Sequence, residues 1–505
     1  MKAHFLFLTV VWSFLGSALV LFGPVSFDTG LFLFGEAFIL SLGFLWVPQK
    51  YWWYIGSIFL GMTLALLTMQ NHQKKWQSLP EEYELKSAPV EVVRYPLEKS
   101  FYREVVLSQR ECQDVCQNIL WKMSLEEDIE VGESFFFSCH LERIQNFSQD
   151  FDYQKYLEKE GIGFQCTDGQ RGDSIPKTVL GYGYEVLQGG RNFTEKALTR
   201  ALPEPELGLA KGLILGGSSY LSESLEENFK RVGMTHIVAV SGYNILLVAG
   251  FLLLLALLLG FWRRWALMGA FLGVVVFILF VGAPASAVRA GSMAGLSFLA
   301  LLGGRRSIGF VVLAGSAFLM LLVNPLLLFY DIGFELSFLA LVGILFALPE
   351  EGTHEGLIQK IGEVVKTTLW VEAFILPLIV YYFGVLSWFS LVANIILIPF
   401  VPLAMLGSAL LVVIGFWMPT ALLMVFSMPV YGVLFGIISF VEYFGSMPGI
   451  ALEHLSLPGE FLIAWYCILV TLGVIQLKDS KKKWYAKAFL VNGRSHSSRT
   501  DIFWK

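Results

Sequence analysis

The sequence predicts a polytopic α-helical membrane protein of about twelve spans, with one small β-barrel domain between the third and fourth spans. Three observations predict it. Hydrophobic residues make up 55% of the 505-residue chain and charged residues only 15%, with a mean hydropathy of +0.63, whereas soluble domains carry about 25% charged residues. Apolar runs of about 20 residues, the length that crosses about 30 Å of hydrocarbon, recur along the chain. One long polar block interrupts them, and its apolar residues alternate with the period of strands.

The runs begin near His4, Leu31, Trp52, Ile237, Trp265, Ala287, Ile308, Ile332, Thr367, Trp388, Ala421 and Phe461. The first has a single Lys2 ahead of it and no small-residue cleavage site, and further runs follow soon after. It therefore reads as a span rather than a signal peptide. The positive-inside rule places Lys2, Lys50, Arg263, Arg264, Arg305, Arg306, Lys360, Lys366 and the Lys-rich tail from Lys478 in the cytoplasm. Alternating the spans satisfies all of these if the stretch from Trp388 to Trp417 crosses once. Pro399 and Pro402 within it fit a bent or broken helix. The chain then divides into residues 1–70 with three spans, 71–205 as an extracytoplasmic domain and connector, 206–477 with about nine spans, and 478–505 as a basic cytoplasmic tail. The tail reads as a topology anchor beside anionic lipid.

Within the polar block, APVEVVRYP, SFYREVVLSQ, NILWKMSL and ESFFFSCHLERI read as strands. SIPKTVLGYGYEVLQGG reads as a further strand pair, and FDYQKYLEKEGI as a short amphipathic helix. About five strands and one helix suit a Greek-key barrel such as the OB-fold, with a β-sandwich as the alternative. OB-folds bind single strands through aromatic platforms in a basic groove. Aromatics are present at Tyr95, Phe101, Tyr102, Trp121 and Phe135 to Phe137. Yet between Leu85 and Gly190 eleven Lys and Arg stand against eighteen Asp and Glu, which disfavours strong phosphate binding by the domain as a whole. Arg94, Lys99, Arg103 and Arg110 form the local exception. The net charge of −5 points to no ligand class. Cys112, Cys116, Cys139 and Cys166 form an even set in an oxidising compartment, which leaves three disulfide pairings open. Zinc is disfavoured, because CQDVC has no second close pair and His140 stands alone. No cofactor is expected.

After this block, SLEENFKRVG reads as an amphipathic helix lying on the outer membrane face. It leads into HIVAVSGYNILLVAG, an apolar run with a polar mouth. In a continuous helix His236, Val240 and Asn244 share one face, while Ser241 and Gly242 allow a bend or a close helix approach.

ILGGSSYLSESLEENFKRVGMTHIVAVSGYNILLV resembles the signature of the ComEC family, the membrane proteins of competence DNA uptake. Further blocks agree in order: AVRAGSMAGLSFLALLGGR, NPLLLFYDIGFELSFLALVGI, PLIVYYFGVLS and LVANIILIPFVP. FDYQKYLEKEGI resembles the end of that family's outer OB-like domain. The resemblance runs from about residue 30 to 477. It implies a channel that passes one DNA strand to the cytoplasm, served by a DNA receptor outside and a DNA motor inside. Many members also carry a metallo-β-lactamase-like domain with a His-x-His-x-Asp-His metal site, needed where two metals activate one water. The seven histidines here, at 4, 72, 140, 236, 354, 454 and 496, form no such cluster, so no hydrolytic activity is expected. The chain departs from the pattern at three points. Tyr243 and Asn244 follow the Ser-Gly pair where a large apolar residue and His are typical. Gly216-Gly217-Ser218 replaces Gly-Asp-[Arg/Lys]. Glu335 stands in Gly333-Phe334-Glu335-Leu336-Ser337 where the family has Gln.

Polar groups inside spans line cavities or hold helices together. His236, Ser241, Gly242 and Asn244 are accordingly candidates to line a polar path. A Ser–His hydrolase is disfavoured, because no third orienting group accompanies them. Arg289 is permanently charged and needs an anion, with Glu335 and Glu372 as candidate partners or a DNA phosphate as ligand. Ala287, Gly291 and Gly295 form a small-residue stripe around it. Asp331 either caps the following helix or joins Glu335, one turn on, as a proton or cation carrier. Ser337 and Asn394 complete the set, Asn394 in a helix interrupted by Pro399. The expected function is passage of single-stranded DNA, with no enzymatic step and with lipid as the surrounding partner. An ion-coupled solute transporter using Asp331, Glu335 and Glu372, and a non-transporting scaffold, are the alternatives. The sequence leaves the oligomeric state open.

Overall fold

The computed structural model describes residues 52–479, apart from 99–100, 112–116, 128, 147–151, 239–240, 305–308, 348–356, 453–454 and 456. The first two expected spans, Lys99, Cys112, Cys116 and the basic tail lie outside the described residues.

Helix α1 (Trp52–Gln77) leads into a barrel of β1 (Glu82–Val92), β2 (Leu97–Glu98), β3 (Arg103–Gln109), β4 (Asn118–Met123) and β5 (Ser134–Arg143), then helix α2 (Tyr153–Lys159), β6 (Ile162–Cys166) and β7 (Gln170–Ser174). The strands run β1-β3-β4-β6-β5, and β5 pairs back onto β1 to close the sheet. All these neighbours are antiparallel except β4 and β6. Five strands therefore form an OB-like barrel without open edges, to which β2 and β7 are appended on β3 and β5. Inward positions alternate as the strands require, and the interior holds Val90, Val105, Leu107, Ile119, Trp121, Phe135, Phe137 and Phe164. Trp121 and Phe137 meet at 5.0 Å between ring centroids. These aromatics thus fill the core and offer no stacking platform. Cys139 and Cys166 form a disulfide joining β5 to β6, with Cα atoms 6.4 Å apart. Asp152 caps α2 through the Lys155 backbone N–H, and Leu157 of α2 packs with Val106, Leu120, Ile144 and Ile162 on the barrel's flank.

Residues 174–190 are not a strand pair. After β7, Thr178 caps helix α3 (Val179–Ala201), its side chain accepting from the Gly181 N–H at 2.9 Å. The face that holds this helix is Arg191, Thr194, Leu198 and Ala201, buried at helical spacing. That face lies downstream of the stretch whose alternation suggested strands, so the local pattern was outweighed by packing. The strands Ile162–Cys166 and Gln170–Ser174 were hidden by their shortness.

The rest is helical apart from one short antiparallel pairing of Leu386–Ser387 with Ala451–Leu452: α4 (Glu206–Leu215), α5 (Glu223–Val232), α6 (Thr235–Val238), α7 (Gly242–Leu258), α8 (Arg263–Phe280), α9 (Ala285–Leu302), α10 (Gly309–Val323), α11 (Leu327–Tyr330), α12 (Ile332–Ala347), α13 (Leu357–Phe383), α14 (Ser390–Leu397), α15 (Val401–Gly415), α16 (Thr420–Gly445) and α17 (Gly459–Asp479). Among the described residues six segments are long and apolar enough to cross a membrane: Thr235–Leu258, Arg263–Phe280, Ala285–Leu302, Val365–Phe383, Ser390–Gly415 and Thr420–Gly445. Val311–Val323, Ile332–Ala347 and Gly459–Leu469 are shorter apolar helices. The stretch holding Pro399 and Pro402 is one segment, tightened into a 3-10 turn over Ile398–Phe400 where Pro399 removes a donor. One core joins α4, α5 and α6 to α14, α15 and α16; another joins α7, α8 and α9. Helix α5 is amphipathic as expected, but its apolar face, Leu225, Phe229 and Val232, is buried in the first of these cores and faces protein rather than lipid.

Two outcomes follow for stability. Opening the Cys139–Cys166 bridge, which closes a loop of 27 residues in sequence separation, should lower barrel stability by between about 3 and 4 kcal/mol through loop entropy. Denaturant-dependent proteolysis of the full chain with and without reductant measures it, and equal midpoints would contradict it. Burial at the end of α1, with Lys75 and Lys155 nearby, lowers the pKa of His72 to about 4. The folded state thus favours neutral His72, a contribution intact above the ordinary value of 6.5 and lost as pH falls toward 4. The wild type should lose more stability over that window than His72→Gln, as compared by thermal unfolding.

Candidate functional site

Contacts sort the candidate residues into small polar groups embedded among the apolar helices. The first lies at the break before α7. Helix α5 starts at Ser222, whose Oγ accepts from the Leu225 N–H. It ends at Gly233, whose φ of +81° closes the helix with Gly233 N–H to Lys230 O and Met234 N–H to Phe229 O. A side chain at 233 would meet the Ser390 Cβ at 2.7 Å, so this turn packs directly on the start of α14. His236 follows in α6, its imidazole within hydrogen-bonding reach of the Gly233 carbonyl. Its side chain is exposed to solvent.

Ser241 is extended, with φ −94° and ψ 166°. Helices α6 and α7 are therefore separate, and His236 and Asn244 do not share one continuous helical face; Val240 lies outside the described residues. The physical cause is the Ser-Gly pair. Serine takes the non-helical cap position readily, and Gly242, lacking a side chain, sits close against α9, where an added Cβ would stand 3.6 Å from the Ala290 Cβ. The Ser241 Oγ donates to Asn244 Oδ1 at 3.4 Å. Asn244 is only 1% exposed, and its Nδ2 has no hydrogen-bond partner within the protein.

The second group centres on Arg289 of α9. Ala287, Gly291 and Gly295 are buried on the opposite face of α9, where close packing puts the small-residue stripe; side chains at 291 and 295 would run into Ile278 and Phe271 of α8. The guanidinium is 4% exposed. Its carboxylate partner is Asp331, with Nη1 to Oδ2 at 3.6 Å, rather than Glu335 or Glu372, and its Nη2 donates to Ser337 Oγ at 3.1 Å. Asp331 also caps α12, its Oδ1 accepting from the Phe334 N–H at 2.9 Å. A cation from the barrel domain joins them: Lys159, at the end of α2, is buried and places Nζ 3.8 Å from Asp331 Oδ2 and 3.3 Å from Glu160.

Glu335 and Glu372 have other partners, which is why neither meets Arg289. Glu335 accepts from the Tyr382 hydroxyl at 3.3 Å. Glu372 of α13 accepts from Ser390 Oγ at 2.9 Å and from Asn394 Nδ2 at 3.3 Å, both on α14. Asn394 thus bonds a carboxylate and not a carbonyl freed by Pro399. Among the described residues no group of three or more His, Cys, Asp or Glu stands ready to hold a metal. The local basic patch of the barrel is internally bonded: Arg94 pairs with Glu160 at 2.7 Å, Arg103 donates to the Glu127 carbonyl, and Arg110 donates to Ser134 beside Glu91. Lys159, Ser390 and Tyr382 were missed by sequence reasoning. Lys159 sits in an ordinary amphipathic helix, and nothing local marks it as buried.

Comparison with known proteins bears on this arrangement. A family model described as "Competence protein" matches residues 213–479, just over half of the chain. The ComE operon protein 3 of Bacillus subtilis (strain 168) is 24% identical over 261 residues, which is 51% of this chain and 32% of that protein. The chain thus spans about a third of the length of this curated relative. No solved structure matches.

Removing Asp331 leaves two buried cations without their shared carboxylate. Asp331→Ala should therefore destabilise the protein by about 3–5 kcal/mol, whereas Arg289→Met combined with Asp331→Leu should recover much of that loss. Thermal unfolding of the detergent-solubilised chain distinguishes them; an Asp331→Ala variant as stable as wild type would show that the pair is not structural.

Proposed function

The chain belongs to the competence protein family, and from that premise we propose that it passes single-stranded DNA across the cytoplasmic membrane through a polar path between its apolar helices. The observation that carries this reading is the break at Ser241. An apolar segment that crosses as one helix satisfies its own backbone. Here it is interrupted by an extended serine, with His236 exposed just before the break and Asn244 buried just after it with an unused donor. Such groups are retained in a membrane where they face a cavity or a polar ligand.

In this reading about twelve helices cross the membrane, residues 71–205 face outward, and the tail from Lys478 lies in the cytoplasm. A DNA receptor outside delivers the strand and a motor inside draws it in. The task is transport, and no hydrolytic step is assigned to these residues. Ion-coupled solute transport draws instead on Glu335 and Glu372, whose partners are neutral hydroxyl and amide groups.

The test is internalisation of labelled DNA by cells lacking the protein, with surface-bound and nuclease-protected label counted separately. Protected label should fall while surface label persists. His236→Ala, Asn244→Leu and Arg289→Ala, each present in the membrane at normal abundance, should fail to restore it. Unchanged internalisation on deletion would reject DNA passage and favour solute transport or a scaffold role.

A further inference from the structure

The cluster around Arg289 holds buried charged atoms that have no hydrogen-bond partner within the protein. Arg94, Lys159 and Arg289 stand in line with Glu160 and Asp331, alternating in sign from the barrel surface inward. Lys155 and Glu335 flank this line, each bonded to a tyrosine: Lys155 Nζ to the Tyr330 hydroxyl at 3.1 Å, and Glu335 to Tyr382. At the inner end a single oxygen, Asp331 Oδ2, serves both Arg289 and Lys159. It lies 3.6 and 3.8 Å from them, beyond hydrogen-bond length. The carboxylate oxygen therefore attracts both cations without forming a hydrogen bond to either. Arg289 Nε and Nη1 and Asp331 Oδ2 all lack a hydrogen-bond partner within the protein, although both side chains are more than nine-tenths buried. A buried charge with unused donors is strongly unfavourable unless something compensates it.

The two cations are also held in place before any ligand arrives. The Lys159 carbonyl accepts from Asn324 Nδ2 at 2.7 Å, which ties the end of α2 to the turn before α11. Tyr330, at the end of α11, lies 5.2 Å below the Lys155 ammonium. Gly333 faces the guanidinium and leaves it uncrowded: a side chain there would come within 3.1 Å of Arg289 Nη2 and of Asp331 Oδ1. Fixed cations with free donors are what an oxyanion requires.

We infer that Lys159 of the barrel domain and Arg289 of α9 form a composite phosphate site for a nucleic acid strand, with Asp331 as the internal anion that the phosphodiester displaces. The inference rests on the DNA-passage reading above for the identity of the anion, and adds that the barrel supplies half of the site. A strand leaving the barrel then meets its first cation pair at the junction of the two domains.

The experiment uses the full chain in phosphatidylcholine nanodiscs and a labelled oligothymidylate, with affinity followed against salt. Each phosphate contact on a single strand contributes about 0.7 to the slope of log affinity against log salt. Lys159→Met and Arg289→Met should each reduce that slope by about 0.7, while Lys159→Arg should keep it. Asp331→Asn retains an oxygen for the Phe334 cap and removes the competing charge. It should bind the oligonucleotide more tightly than wild type, and added oligonucleotide should raise its unfolding temperature more. A purely structural ion-pair network gives no such gain. If a single variant does not hold its fold, the Arg289→Met, Asp331→Leu double variant, which removes the buried pair together, decides by whether its slope falls by about 0.7. An unchanged slope in the methionine variants, or no gain in Asp331→Asn, would overturn the composite site. Lys159-dependent retention of phosphatidylglycerol with an unchanged oligonucleotide slope would also overturn it, assigning the cluster to lipid. Normal cellular import of DNA alongside such a failure would leave the passage reading standing; loss of that reading with the slope changes intact would leave an anion site without its proposed role.

Discussion

A guanidinium carries its charge at any pH a cell meets, and Arg289 carries it 4% exposed near the start of an apolar helix. Much of the surrounding architecture is arranged around that fact. The small residues of α9 let α8 pack closely on one face of the helix, while Arg289 leaves the other face toward Asp331 and Ser337. Asp331 stops α11, starts α12 and still leaves one oxygen for the charge. Lys159 then draws the barrel onto the same carboxylate. One buried ion cluster thus joins a soluble-type β domain to a bundle of apolar helices, and through Asn324 and Tyr330 it fixes where the barrel sits.

A second junction supports the first. Tyr95, in the loop after β1, lies against Gly282 in the turn before α9, where a φ of +91° and the missing side chain leave room for the ring. Arg191 of α3 stacks on that ring at 4.1 Å and donates to the Phe280 and Leu215 carbonyls. A stacked arginine that also ends two helices is a rigid contact. The barrel therefore touches both elements that position the Arg289–Asp331 pair, the turn into α9 and the turn into α12.

The first polar group solves a different problem. Helices α6 and α7 are parted at Ser241, which leaves peptide groups without helical partners. The tight turn at Gly233, seated on Ser387 and Ser390, holds α6 against α14, and the same Ser390 donates to Glu372. The polar residues of the broken segment, of α13 and of α14 thus meet through one serine, although they lie far apart in the chain.

Sequence alone determined the class of the protein, most apolar helices and the four longer strands, because these follow from residue type and from the periods of helix and strand. Asp331 as a cap, the small-residue stripe and the turn at Pro399 were legible for the same reason: each is a local rule about one backbone position. Tertiary structure decided the pairings. The sequence pointed Arg289 to Glu335 or Glu372, and only packing gave it Asp331 instead, one helical turn from Glu335. The helix over 179–201 was hidden because its buried face begins beyond the misleading alternation. Lys159 was hidden because a lysine in a short amphipathic helix looks solvated until another domain covers it. Local spacing fixes which way a side chain leaves its own backbone, whereas its partner is fixed by contacts between segments whose separation in the chain carries no such information.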